Sequence, residues 1–146
     1  MWIDDRGSEV LALGECRRLL ALGAKTGLHG HLGIAKEGAP LILPVDFTTD
    51  GSDVIVRVGD HVFDQIDGAL VAFQVDNAGS PGPVGDEGRW SVLVRGFVDG
   101  GLEPSGAAAL PHPRVAEPGQ HLVCIRGDVV TGRRLRPPAS PGAAPA

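Results

Sequence analysis

Residues 41–59, LILPVDFTTDGSDVIVRVG, constrain the fold more than any other stretch of this chain. Apolar side chains recur at every second position on both sides of Asp50-Gly51. A period of two belongs to a strand with one buried face, and Asp-Gly between two such runs is a hairpin turn. Leu41, Leu43, Val45 and Phe47 share one face of the first strand, and Val54, Val56 and Val58 one face of the second. Pro44 falls on the opposite face of the first strand. It has no N–H to give to a ladder, so its strand belongs at an edge or carries a bulge. The sheet should therefore open at one point. Arg57, near the exit of the second strand, is a cation that can pair bidentately with a phosphate. Its plainer role is a solvent-facing arginine paired with Asp53 or a cross-strand acid.

The rest of the chain repeats this grammar. Residues 28–36 alternate, with Leu28, Gly30, Leu32 and Ile34 on one face and His29, His31, Gly33 and Ala35 on the other; Glu37-Gly38 follows as a turn. Residues 69–75, 90–98 and 121–127 read as further strands, and 128–131 as a turn or a single helical turn. Residues 14–22 place Cys16, Leu19 and Leu20 at helical spacing, with Gly23 as the stop. Residues 60–68 form a second short helix closed by Gly68, and 103–110 a weak third. Residues 77–89 are a polar Gly/Pro loop. Six strands at hairpin spacing with two or three short helices predict a mainly β fold, a small antiparallel barrel. One domain spans 1–136, and the Pro/Ala-rich 137–146 is a disordered tail.

A chain of 146 residues with 42% hydrophobic content can build a real core. With two Trp, four Phe and no Tyr, that core must be mostly aliphatic. The formal charge of −5 and the lack of a basic run argue against a nucleic-acid partner. No apolar run reaches membrane-spanning length and the acidic start lacks the features of a signal peptide, so a cytoplasmic protein with no membrane partner is expected. Cys16 and Cys124 are then reduced, buried thiols. There is no Gly-rich phosphate loop, CxxC pair or G-x-S-x-G elbow.

The helix GECRRLL, the hairpin GHLGIAKEGAPLILPVDFTTDG, the strand VIVRVG, then ALVAFQVD, WSVLVRG and VVTGRRL follow one another across 14–136. In that order they resemble the pyridoxamine 5′-phosphate oxidase-like family, the FMN-binding split β-barrel. The resemblance implies a homodimer with FMN at the subunit interface, acting as an oxidoreductase on a small-molecule substrate. It implies that backbone groups of Pro44, Val45, Asp46 and Phe47 meet the edge of the flavin ring. It sets Arg57, Val58, His61 and Val62 at the phosphate, Trp90 and Ser91 near the ring, and Arg133 at the same interface. The flavin would carry the redox chemistry, and no catalytic side chain is nominated. Pyridoxamine phosphate oxidation itself is not expected, because Arg133-Arg134-Leu135-Arg136 is not the family's Arg-x-His substrate pair. The family also includes members that use a deazaflavin or bind haem.

Two departures from the family pattern set up rivals. Many members follow the arginine strand with a phosphate-pairing lysine, whereas DHVFDQIDG has none, and His31 stands where many have arginine. The first rival is therefore a dimeric split-barrel binding protein that has lost flavin. For Trp90 the preferred role is packing at the dimer interface, with ligand contact in addition. The second is a cupin-like metal enzyme using His29 and His31 with His121 and Glu37. Glu37 stands too far along for that motif and no Asn follows His121. Two partly exposed strand histidines, and no metal, are the preferred reading.

Overall fold

The computed structural model describes residues 2–3, 7–36, 38–78, 87–100 and 120–135. The helix expected at 103–110, Glu37, most of the 77–89 loop and the 137–146 tail lie outside those residues. In chain order the elements are β1 (Trp2–Ile3), β2 (Ser8–Val10), α1 (Leu13–Lys25), β3 (Gly30–Lys36), β4 (Ala39–Val45), β5 (Phe47–Asp50), β6 (Asp53–Gly59), α2 (Asp60–Ile66), β7 (Leu70–Asp76), β8 (Arg89–Asp99), β9 (Gln120–Ile125) and β10 (Val129–Leu135). Every ladder is antiparallel.

The strands follow the path β1-β2-β10-β8-β7-β3-β4, and a second path runs β8-β9-β6-β5. The long strand β8 joins the two. Its residues up to Phe97 pair with β10 and β7, and Val98 and Asp99 pair with β9. Among the described residues β4 pairs only with β3, and β5 only with β6. These two edges are consecutive in the chain through Asp46, so closure is incomplete there: the fold is a split barrel. Pro44 sits on the edge strand β4 opposite His31, as its missing N–H requires.

Alternation holds in β6, β7 and β8, but not in the outer part of β4, where Leu41 is exposed and Leu43 half-buried. Val54, Val56 and Val58, then Val71, Phe73 and Val75, then Trp90, Val92 and Val94 are all buried. The Phe47 and Phe73 rings meet at 4.9 Å, tilted by 58°. Cys16 and Cys124 are buried and unpaired with each other.

Three expectations need correction. The described residues form ten strands where six were expected. Two of the additions, β1 and β2, have only two and three residues. A third, β5, is the end of the expected 41–47 strand, which changes sheets at Asp46. The fourth is β10, expected as a turn at 128–131. Its outward Thr131 and Arg133 and its buried Gly132 give no apolar alternation to read, yet it pairs with β8 along its whole length. Finally, Gly23 does not stop α1, which runs on to Lys25. Gly23 is buried where a Cβ would lie 3.4 Å from both Phe47 and Trp90, so its smallness lets the helix approach the barrel. Thr26 ends α1 by donating its hydroxyl to the Leu22 carbonyl at 2.8 Å.

Candidate functional site

The residues singled out from the sequence fall in two places. The first is the corner where β4 passes into β5. Val45 and Phe47 are buried and Asp46 is exposed between them. The two buried residues can offer a ligand only backbone groups, which is the role the resemblance gives them. The Asp46 carboxylate lies 3.3 Å from His29 Nδ1. Phe47 pairs with Val56, so Asp46 and Arg57 flank one rung and share this corner. Arg57 is half-buried on the face away from the core, across from Leu122. Asp53 accepts from the Gly127 amide at 2.9 Å and pairs with Arg126 at 3.3 Å.

Beyond Arg57 the chain enters α2. Val58 is buried and Val62 packs against the core, so neither presents a polar group. His61 is exposed in the first turn. Its neighbour Asp60 pairs with His121, and the His121 ring stacks on Phe63 at 4.2 Å and 14°. The basic groups at this end are thus Arg57, His61 and His121, with the Asp60 carboxylate among them.

Next to the corner, the outer face of β4-β3-β7 carries a cavity of about 390 Å³ lined by His31, Gly33, Ile42, Ala72 and Gln74. Register explains it. Gly33 pairs with Ile42 on one side and Ala72 on the other, and His31 with Pro44 and Gln74. Two adjacent rungs therefore combine small residues with an exposed isoleucine and leave a flat apolar floor. A methyl on Gly33 would contact the Ala72 methyl at 3.7 Å and begin to fill it. Of this lining, sequence reasoning singled out only His31, as a possible metal ligand. The signal for the rest was small or apolar residues at outward strand positions, where polar ones are usual.

The second place is the β8–β10 ladder. Ser91 and Arg133 are partners across it, on the outer face. Trp90 points inward and is buried against Gly23 of α1. Its side chain belongs to the core cluster. No three His, Cys, Asp or Glu side chains converge as a metal site among the described residues.

A comparison with protein-family models matches residues 14–100 to the family described as Pyridoxamine 5'-phosphate oxidase. Several solved structures share the fold. The FAD binding protein from Mycobacterium smegmatis aligns with a TM-score of 0.63 and 22% identity, over 88% of this chain and 99% of its own. A FAD-binding protein from Mesorhizobium loti gives 0.64 and 21%, over 86% and 95%. A conserved protein of unknown function from Corynebacterium diphtheriae gives 0.64 and 22%, over 88% and 98%. None of the curated proteins matches the chain. The family match covers well over half of the sequence and begins at the helix with which the resemblance began: this chain belongs to the pyridoxamine 5'-phosphate oxidase family.

Proposed function

We propose that the chain is a flavin-binding oxidoreductase acting as a homodimer on a small-molecule substrate, with FMN as the cofactor. The observation that carries this reading is the flat apolar cavity on β3 and β7, beside the β4–β5 corner. Its floor of Gly33 and Ala72 suits a planar ring, and Gln74 and His31 offer polar atoms at its margin. Arg57 and His61 would meet the anionic tail. Asp46 and the backbone of 44–47 would meet the ring edge, with Val58 and Val62 as apolar backing. The flavin, when bound, supplies hydride chemistry. The protein positions it, neutralises its phosphate and keeps water off its face.

The second copy belongs to the same proposal. Ile42, Leu70 and Phe97 are 70%, 63% and 55% exposed on the outer face of the first sheet. Apolar patches of that kind mark interaction sites. A partner laid on that face would cover them and bring its Ser91 and Arg133 towards the cofactor. Two buried free thiols suit a reducing cytoplasm, and no described helix is long and apolar enough to cross a membrane.

The names of two structural neighbours support a flavin in general, and those names say FAD. The deciding measurement is the visible spectrum of the purified protein, followed by separate FMN and FAD titrations. A flavin spectrum, with FMN bound more tightly, is the expected result. The lysine-free stretch 58–68 and the Asp60 carboxylate favour one other reading, a split barrel that binds no flavin. A colourless protein that neither nucleotide colours would establish it.

A further inference from the structure

We infer, on the strength of the function proposed above, that Arg95 selects the substrate: it receives the carboxylate of a planar, otherwise apolar small molecule on the outer face of the first sheet. Register places it there. Arg95 pairs with Ala72 of β7 on one side and with Val129 of β10 on the other. Ala72 pairs in turn with Gly33, and Gly33 with Ile42. Val129, Arg95, Ala72, Gly33 and Ile42 therefore form one row across five strands. Neighbouring strands lie about 4.8 Å apart, so Arg95 and Ile42 stand about 14 Å apart with only an alanine and a glycine between them. A ring on that floor meets Arg95 as the first long side chain on the β8 side.

The charge of Arg95 is unspent. Arg95 is exposed. Among the described residues its side chain makes no hydrogen bond and no ion pair, whereas every other described arginine has a partner. Leu93 and Phe97, two residues to either side on β8, share its face, and Leu70 is the partner of Phe97. The acids lie elsewhere. Asp128, next to Val129, accepts through Oδ2 from the Phe97 amide at 3.4 Å. That oxygen is 3.2 Å from where a Gly96 Cβ would stand, on the face opposite Arg95. Asp76 is four residues along β7 from Ala72, and its oxygens accept from Gln74 Nε2 at 2.8 Å and from the Ala78 amide at 2.9 Å.

These neighbours set the chemistry of the ligand. A guanidinium among apolar side chains loses water when that face is covered, and a charge buried without a counter-ion is costly. A second copy laid on the Leu70–Phe97 patch therefore covers Arg95 favourably only if an anion comes with it. The guanidinium fork matches a carboxylate bidentately. One cation balances one carboxylate. A phosphate monoester carries close to two charges at neutral pH, and no other cation in the row would meet the second.

The test titrates the full-length protein with benzoate, benzamide and phenyl phosphate at constant ionic strength, with and without saturating FMN. The readouts are the ¹H–¹⁵N shifts of the Ala72, Arg95 and Val129 amides and, with FMN, the visible flavin band. Benzoate should give saturable changes, phenyl phosphate should bind less tightly, and benzamide at least about tenfold less tightly, the scale of one charge-assisted hydrogen bond. Arg95→Gln should remove the preference for benzoate over benzamide, and Arg95→Lys should restore part of it. Because Arg95 ties down no other group, neither variant should disturb the fold. Equal affinity for benzoate and benzamide in the wild type, or unchanged benzoate affinity in Arg95→Gln, would overturn the proposal. Tighter binding of phenyl phosphate would overturn the choice of a carboxylate. Benzoate displaced by FMN, or FMN binding lost in Arg95→Gln, would make Arg95 a cofactor contact and overturn its assignment to a substrate. If the wild type takes up no FMN, the flavin reading falls by itself, and the amide shifts of the flavin-free protein decide whether Arg95 binds the carboxylate.

Discussion

A single methyl at Gly96 would collide with backbone. A Cβ there would lie 1.7 Å from the Arg126 carbonyl oxygen and 2.8 Å from its carbon. Neither atom is the free end of a side chain, so the strand itself must move. Next to this contact the Arg126 amide donates to the Phe97 carbonyl at 3.0 Å, where β8 passes from one sheet to the other. Gly96→Ala should therefore cost about 1–3 kcal/mol, as overpacking usually does. Urea unfolding of the variant measures it, and an unchanged midpoint would mean that β8 has slack at this bend. The other residue-level prediction concerns Arg57. If it anchors a flavin phosphate, Arg57→Ala should weaken FMN at least about tenfold, since a hydrogen bond to a charged group contributes roughly 1.5–3 kcal/mol. Fluorescence titration reads that directly, and an unaltered affinity removes Arg57 from the site. Sequence legibility at this scale follows the buried side. Val54, Val56 and Val58 declared themselves because burial demands apolar side chains. The Gly33 and Ala72 floor did not, because an outward small residue looks like ordinary surface until its two neighbouring strands are known.

At the scale of elements, α1, β10 and the start of β8 are fastened by a charge cluster. Arg18 pairs with Glu15 at 2.6 Å and with Glu87 at 2.7 Å, and Arg134 of β10 pairs with Glu15 at 2.8 Å. Hydrogen bonds from Arg18 first, then from Arg134, hold the Glu15 carboxyl down at about 2. Arg18 likewise pulls Glu87 below the usual carboxylate range. A carboxyl depressed by folding stabilises the native state above its unfolded pKa of about 4.3, and that contribution drains away as pH falls towards the folded value. The urea midpoint should accordingly drop between pH 4.5 and 2, and Glu15→Gln should flatten that part of the profile. Because the cluster lies at the surface with its side chains 18% to 48% exposed, screening should hold the difference at neutral pH to about 1 kcal/mol. An identical acid profile in wild type and variant would mean that other carboxylates govern the loss. None of this was legible beforehand. The partners lie 119 residues apart, and β10, which delivers Arg134, has no alternation to announce it. The hairpin and the edge proline of β4 were legible, because turn chemistry and a missing N–H are local facts.

For the whole molecule, the question is what covers the outer face of the first sheet. Leu70 and Phe97 are partners across β7 and β8, so their exposure forms one continuous patch, and Ile42 adds to it two strands away. A two-fold dimer lays the same patch on itself, and a stable one removes roughly 800 Å² from each partner. A charge placed at the centre of such a contact meets its own copy or is buried without a partner, and either is costly. On the homodimer proposal, Leu70→Glu and Phe97→Glu should each convert a two-chain species into a single chain in sedimentation equilibrium. Far-ultraviolet circular dichroism should stay unchanged, because both side chains already lie outside the core. Colour should follow mass: if the cofactor lies where two copies meet, the monomeric variants lose flavin although Arg57 and the Gly33–Ala72 floor are untouched. Variants that lose the dimer but keep flavin would show that one chain holds the ring by itself. Variants that keep the dimer would move the interface off this face and leave the apolar patch to some other partner.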